Sequence, residues 1–299
     1  MRIYGKSREG IGEANMANRY GLGRRIAIIG GYGQMGEWFS GFFKGEGYEV
    51  VISGRDYRRT AAMSRKLGVK AAKSNPEAVR GADIVMISVL PYSFEHVLRE
   101  IAPHIRKGQK VIDVTSVKVL PVRLMHKYIK NALVLGTHPM FGPSADRRGQ
   151  NFILTPTNPK ERRYANELGK FLRKRGFNIS IMSPQEHDSM IGAVLSLTHF
   201  IGLVTADSWR KMGVEKHMRT SSTSFRFLSD FVRSVVDSNP DLYSYLQMDV
   251  RDASKAERLF ISTAEYWTAM IAKRRRRDFS RRMKALSRYV GDIQSNWKR

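Results

Sequence analysis

Short apolar runs alternate with longer stretches in which apolar residues recur every three to four positions. The runs are Ile26–Ile29, Glu49–Ser53, Ile84–Val89, Lys110–Val114, Ala132–Leu135, Phe152–Leu154 and Asn178–Met182, all rich in Val, Ile or Leu. Between them the spacing predicts helices over Met35–Gly45, Arg58–Leu67, Ser93–Ala102, Leu120–Tyr128 and Pro159–Arg175. Strands that alternate with helices argue for a mostly parallel, doubly wound sheet, and near-continuous apolarity within the strands implies burial on both faces. The predicted class is α/β: a Rossmann-type doubly wound sheet followed by an all-α domain.

The pattern changes at Ser183-Pro184-Gln185-Glu186, where a capping Ser, a Pro at the first helical position and a Glu three residues on announce a helix. No strand pattern returns, and Ala256, Leu259, Phe260, Ala264, Trp267, Met270 and Ile271 follow helical spacing. The expected division is a flexible extension over 1–24, a dinucleotide-binding domain over 25–183 and an all-helical domain over 184–299. The extension holds no apolar h-region, which argues against a secretory signal. Met190–Trp209 is apolar enough to raise a membrane span. Ser196, Thr198, His199 and Asp207 within it favour a buried core helix, and the absence of cysteine fits the expectation of a cytoplasmic protein.

Composition narrows the chemistry. A chain of 299 residues has room for two domains. It has no cysteine, which excludes disulfides, thiolate metal sites and Cys nucleophiles. No metal site is expected. The 52 basic residues against 27 acidic give a net charge of +25, a field that attracts anionic ligands. The run Lys273-Arg274-Arg275-Arg276-Arg277, continued by Arg281, Arg282, Lys284 and Arg288, raises nucleic-acid binding. It lacks aromatic interleaving and any recognition-helix motif, so a solvated basic face is the expectation.

Gly31-Tyr32-Gly33-Gln34-Met35-Gly36 follows a strand and opens a helix, the context in which a glycine loop cradles a pyrophosphate. Gly31 is expected to make the turn, Gly33 to admit the phosphates and Gly36 to pack helix on sheet. At the end of the second strand stand Ser53-Gly54-Arg55, with Arg58 and Arg59 behind, where an NAD site usually shows a carboxylate. A hydroxyl and guanidinium groups suit a 2′-phosphate, so NADP is expected over NAD, with Asp56 read as a helix cap. His138, in Gly136-Thr137-His138-Pro139-Met140-Phe141-Gly142-Pro143-Ser144, should sit at a strand's carboxyl end, where open α/β sheets bind ligands. An imidazole there suits proton transfer near neutrality. Ser116, in Asp113-Val114-Thr115-Ser116-Val117-Lys118, lies past another strand end as either a helix cap or a site hydroxyl.

These segments resemble the prephenate dehydrogenases, especially the compact archaeal type. The resemblance runs through IIGGYGQMGEWF, VISGRD, DVTSVK, THPMFGPS, PQEHD, LTHF and NPDLY. It implies a Rossmann domain followed by a helical domain that forms a homodimer, here through the Met190–Val204 helix. It also implies oxidative decarboxylation of prephenate to 4-hydroxyphenylpyruvate in tyrosine biosynthesis, with arogenate the substrate of some relatives. By resemblance His138 takes the proton of the ring hydroxyl, Ser116 holds that hydroxyl, and His199 and Ser144 contact the substrate. The family's carboxylate-binding arginine would fall at Ser234, so Arg233, with Arg226 second, is the expected anchor. Apart from another hydroxylated cyclic acid as substrate, the remaining alternative is a nucleic-acid-associated or scaffolding protein that keeps the fold.

Overall fold

The computed structural model describes residues 23–250 and 253–297. The expected N-terminal extension lies, but for residues 23 and 24, outside them. In chain order the first half holds β1 (Arg25–Ile29), α1 (Gln34–Gly45), β2 (Glu49–Ser53), α2 (Tyr57–Leu67), β3 (Lys70–Ala71), α3 (Asn75–Val79), β4 (Ile84–Ile87) and α4 (Pro91–Ile101). Then come β5 (Lys110–Asp113), α5 (Val119–Tyr128), β6 (Leu133–Pro139), β7 (Asn151–Thr155), α6 (Pro159–Arg173) and β8 (Asn178–Ile181). The eight strands form one sheet in the order β3-β2-β1-β4-β5-β6-β7-β8. Neighbours are parallel except for β6 and β7. β3 and α3 were not foreseen, because two and five residues are too few to show a period.

Alternate residues of each strand face opposite layers, as a pleated strand requires. Ile26 and Ile28 of β1 join an aromatic-rich core with Phe39, Phe42 and Phe43 of α1, while Ala27 and Ile29 join a second core with Phe94, Val97 and Leu98 of α4. Both faces are thus covered, and the strands read as unbroken apolar runs.

β6 reaches further than its apolar run. Leu133–Leu135 pair with β5, whereas Gly136–Pro139 pair antiparallel with β7. The exchange of partner occurs at Gly136, where an added Cβ would lie 2.3 Å from Thr155 Oγ1 and 2.6 Å from Val122. Only a residue without a side chain fits there. His138 therefore stands within a strand, not after one.

The capping box forms as expected: Glu186 accepts from the Ser183 N–H and hydroxyl, both at 2.7 Å, and donates its own N–H to Ser183 Oγ. It starts α7 (Pro184–Ile191), followed by a π-helical segment over Gly192–Ser196 and by α8 (Leu197–Met212). The rest is helical: α9 (Thr223–Val236), α10 (Pro240–Met248), α11 (Ala253–Ala272) and α12 (Arg276–Trp297). Two compact units result, Met1–Ile191 with Asn239–Val250, and Gly192–Ser238 with Arg251–Arg299. The units divide at the π segment, eight residues past the expected boundary, and α10 counts with the first.

One expectation fails in the single chain. Pro184–Met212 is long and apolar enough to cross a membrane by length and composition, yet only 22% of its most apolar window is buried. Val194, Leu203 and Val204 are 52%, 40% and 43% exposed, so this is not a core helix. Its apolar outer face is free in one copy of the chain.

Candidate active site

The glycine loop is tighter than its motif implies. Gly30, not Gly31, takes the left-handed turn (φ 82°), and the N–H groups of Gly30 and Gly31 both donate to the Ser53 carbonyl. A Cβ on Gly31 would meet Ile52 at 2.5 Å, and one on Gly36 would meet the Gly30 oxygen at 2.2 Å. These contacts fix the loop against β2 and press α1 onto it. Gly33 caps α1 without a side-chain acceptor, leaving the first-turn N–H groups for an anion. The cradle fits the pyrophosphate of a dinucleotide.

At the end of β2 the structure redistributes the expected donors. Ser53 is fully buried and its hydroxyl donates to Asn75 Oδ1 at 2.8 Å, so it is no ligand for a ribose or phosphate. Asp56 caps α2 by accepting the Arg59 N–H at 3.1 Å. Arg55 and Arg58 are exposed. Arg59 lies over the Tyr32 ring at 4.6 Å, and that ring covers Gly54, where a Cβ would meet it at 2.4 Å. The edge of the cradle is thus an aromatic ring among three guanidinium groups, with the nearest carboxylate engaged as a cap.

His138 is buried at the carboxyl end of β6. Its Nδ1 lies 2.9 Å from Nε2 of His187, whose Nδ1 lies 2.7 Å from Asp188 Oδ1. Burial pushes the His138 imidazole well below its ordinary value of 6.5, and the neighbouring His187 and Lys118 push the same way. Burial also lowers His187, against the pull of Asp188. Beneath them Lys118, with no exposure, forms an ion pair with Asp113 and donates to the Thr137 carbonyl at 2.6 Å. Asp113 also accepts the N–H of Thr115 and of Thr137, which ties β5 to β6 one residue before His138.

Ser116, half-buried, follows β5. It stands at the same edge of the sheet as His138, since β5 and β6 are parallel neighbours. No hydrogen bond engages its hydroxyl among the described residues, so it is not a helix cap. The loop after β6 is pinned by Phe141, 4.9 Å from the Trp38 ring of α1, and by a Trp38 N–H donated to the Ala145 carbonyl at 3.4 Å. Ser144 is exposed on it.

The N-terminal part of the chain, residues 39–181, matches the nucleotide-binding domain of prephenate dehydrogenase, and residues 183–285 match its dimerization domain. The chain belongs to the prephenate dehydrogenase family. A Methanocaldococcus jannaschii protein described as a probable arogenate/prephenate dehydrogenase is 31% identical over 271 residues, 89% of this chain and 61% of that protein. The chain therefore spans about three-fifths of that relative. A cyclohexadienyl dehydrogenase of Zymomonas mobilis is 26% identical over 76% of this chain and 80% of its own length. Among solved structures, prephenate dehydrogenase from Aquifex aeolicus, in complex with hydroxyphenyl propionate and NAD+, superposes with a TM-score of 0.73 at 19% identity, over 91% of this chain and 98% of that one. At that identity the likeness establishes the fold.

Within the second unit His199 is buried, and burial alone pushes it to about 4. Arg233 is 81% exposed and pairs at 3.1 Å with Asp237, the C-cap residue of its own helix. Arg226 is exposed, with no ion pair among the described residues. Of the basic run, Arg275 and Arg281 pair with Asp278, and Arg282 lies over Tyr266 at 4.5 Å. The motif reading missed His187, Asp188, Asp113 and Lys118 as side chains of the site. PQEHD and DVTSVK contain them, but their partners lie up to 70 residues away.

Proposed function

We propose that the protein oxidises prephenate with loss of its ring carboxylate and prefers NADP. The carrying observation is the buried imidazole of His138, set at the carboxyl edge of a sheet whose first turn is a glycine cradle. A bound nicotinamide would supply the hydride acceptor. His138 receives the proton of the ring hydroxyl at Nε2, its Nδ1 being engaged by His187. The unengaged Ser116 hydroxyl steadies the same oxygen. As that proton leaves the oxygen, the hydride of the carbinol carbon would pass to the bound nicotinamide and leave a ring ketone. The electron pair freed when the ring carboxylate departs as carbon dioxide moves through the ring onto that oxygen, which takes the proton back from His138 as the aromatic phenol forms. The buried imidazole is unprotonated throughout the neutral range, the state a base requires.

His199, Ser144, Arg226 and Arg233 are proposed as substrate contacts, Arg226 being the arginine with no ion pair to break. The NADP preference rests on Arg55 and Arg58 alone, once Ser53 and Asp56 are engaged elsewhere. The exposed Val194, Leu203 and Val204 and an open apolar groove of about 660 Å³ lined by Phe200, Val204, Phe260 and Ile261, all in the second unit, support a homodimer closed through that unit.

The test is reduced-nicotinamide absorbance with purified protein, prephenate or arogenate, and NADP or NAD. The expected result is turnover of prephenate with kcat/KM higher for NADP, and a loss of that preference by about tenfold or more in Arg55→Gln/Arg58→Gln. Faster turnover of arogenate would assign the amino-bearing substrate instead. An unchanged cofactor ratio in the double variant would move the 2′-phosphate contact to Arg59.

A further inference from the structure

We propose that His187 and Asp188 are positioning residues that hold His138 in the one neutral tautomer able to take a proton at Nε2. The inference rests on the reading of His138 as the base and deepens it. Asp188 is fixed by the main chain that opens α5: its Oδ1 accepts the Lys118 N–H at 2.7 Å and its Oδ2 the Val119 N–H at 2.9 Å. Both oxygens face donors, so the carboxylate is an acceptor toward His187. The 2.7 Å contact between Asp188 Oδ1 and His187 Nδ1 then requires the proton of that ring to sit on Nδ1.

A neutral imidazole carries one ring proton. His187 Nε2 is therefore a bare acceptor, and its 2.9 Å contact with His138 Nδ1 requires the His138 proton to sit on Nδ1. His138 Nε2 is left with a free lone pair. Were the first proton elsewhere, each bond would reverse and His138 would present an N–H where a base is needed. The charged and titratable groups around the pair keep both rings neutral or leave the order intact. Lys118 disfavours a second positive charge on either ring, Asp188 favours a proton only on the His187 side, and Asp113 is committed to Lys118. Tyr245 of α10 feels Asp188 but stays protonated, burial holding its hydroxyl above the ordinary range.

During turnover the only transfer assigned to this chain is one proton, from the substrate hydroxyl to His138 Nε2 and back to the same oxygen once the ring is aromatic. The resulting imidazolium donates through Nδ1 to His187, and His187 through Nδ1 to Asp188, so the positive charge faces a carboxylate across one intervening ring. The arrangement performs the orienting role that an aspartate performs for the histidine of a hydrolase triad, lengthened by one imidazole.

The experiment compares His187→Gln with His187→Leu in the full-length protein and reads the ring nitrogens of His138 by ¹⁵N NMR. Glutamine can place an amide oxygen near the Nε2 position and accept from His138 Nδ1, whereas leucine cannot. In the wild type His138 should show a protonated Nδ1 and a bare Nε2. His187→Gln should keep kcat within about tenfold, and His187→Leu should lose about 10²–10⁴-fold in kcat with the cofactor KM little changed and Nε2–H appearing on His138. A role confined to packing would leave leucine, the better apolar filler, at least as active as glutamine. Equal kcat in the two variants, or Nε2–H in the wild type, overturns the proposal, and the wild-type spectrum decides it even if the leucine variant does not fold. His138→Asn separates the two levels: if it keeps full turnover, the base assignment falls while the spectrum still reports the tautomer.

Discussion

A lysine with no solvent exposure must be paired, since an ammonium removed from water without a counter-charge is among the costliest groups a core can hold. Lys118 meets this condition through Asp113, Thr115 and the Thr137 carbonyl, and in doing so sets the spacing of β5 and β6 directly beneath His138. Lys118→Met should destabilise the fold by about 3–5 kcal/mol, because Asp113 is left buried with hydrogen bonds but no cation. Adding Asp113→Asn should recover part of that loss. Urea unfolding of the single and double variants measures both, and a cost below about 1 kcal/mol for the single change would mean that the pair is not sealed from water. At the same scale Ser53 teaches the converse. A hydroxyl in the right place along the sequence is no ligand once Asn75 has taken it.

At the scale of elements, the active-site loop and the cofactor helix are one mechanical piece. Phe141 stands 4.9 Å from Trp38 and 5.8 Å from Phe177, and Trp38 in turn stacks on Phe42 at 5.5 Å. The loop after β6 is thereby held to the helix whose N-terminus faces the dinucleotide cradle. Phe141→Ala removes a half-buried ring, and the expected cost is about 1–3 kcal/mol, less than for a fully buried aromatic. The loop should loosen before the fold does. Trypsin should cut after the exposed Arg147 or Arg148 faster in the variant than in the wild type, under conditions where the rest of the chain stays intact. Equal cutting rates would show that the turn itself, not the aromatic pin, holds the loop.

Across the whole molecule, three buried histidines govern acid stability. His138 and His187 lie below their ordinary value and His199 is at about 4, each because burial disfavours the charged ring. In the unfolded chain all three titrate near 6.5. Below that pH the unfolded state binds protons that the folded state refuses, so stability falls as pH falls, by up to about 1.4 kcal/mol per pH unit for each histidine. For His199 the decline levels off below about 4, where the folded ring is protonated too. The carboxylates held low by partners, such as Glu186 by Ser183, add loss in the same direction only at lower pH. Unfolding free energy should therefore decline between pH 7 and 5, ahead of the carboxylate range. His199→Gln should flatten the slope by about one proton, and a wild-type free energy constant across that interval would contradict the neutral, buried state of these rings.

Apart from the short β3 and α3, the order of strands and helices through residue 181, the capping box at Ser183, the glycine loop and the placement of His138 near a strand's end were legible in the sequence, because each is written in neighbours one to seven residues apart. Periodicity, caps and turns act at that range. The tertiary structure decided what depends on which strands become neighbours. It set the turn at Gly30 and not Gly31, the capture of Ser53 by Asn75, the change of partner that carries β6 through His138, and the burial of Lys118 against Asp113. It also made the His138–His187–Asp188 chain, whose first link joins rings 49 positions apart. Such pairs carry no period and no local signature. They exist because the sheet sets β6 beside β5 and Asp188 of α7 takes the first N–H groups of α5, and only that arrangement turns isolated polar residues into a site.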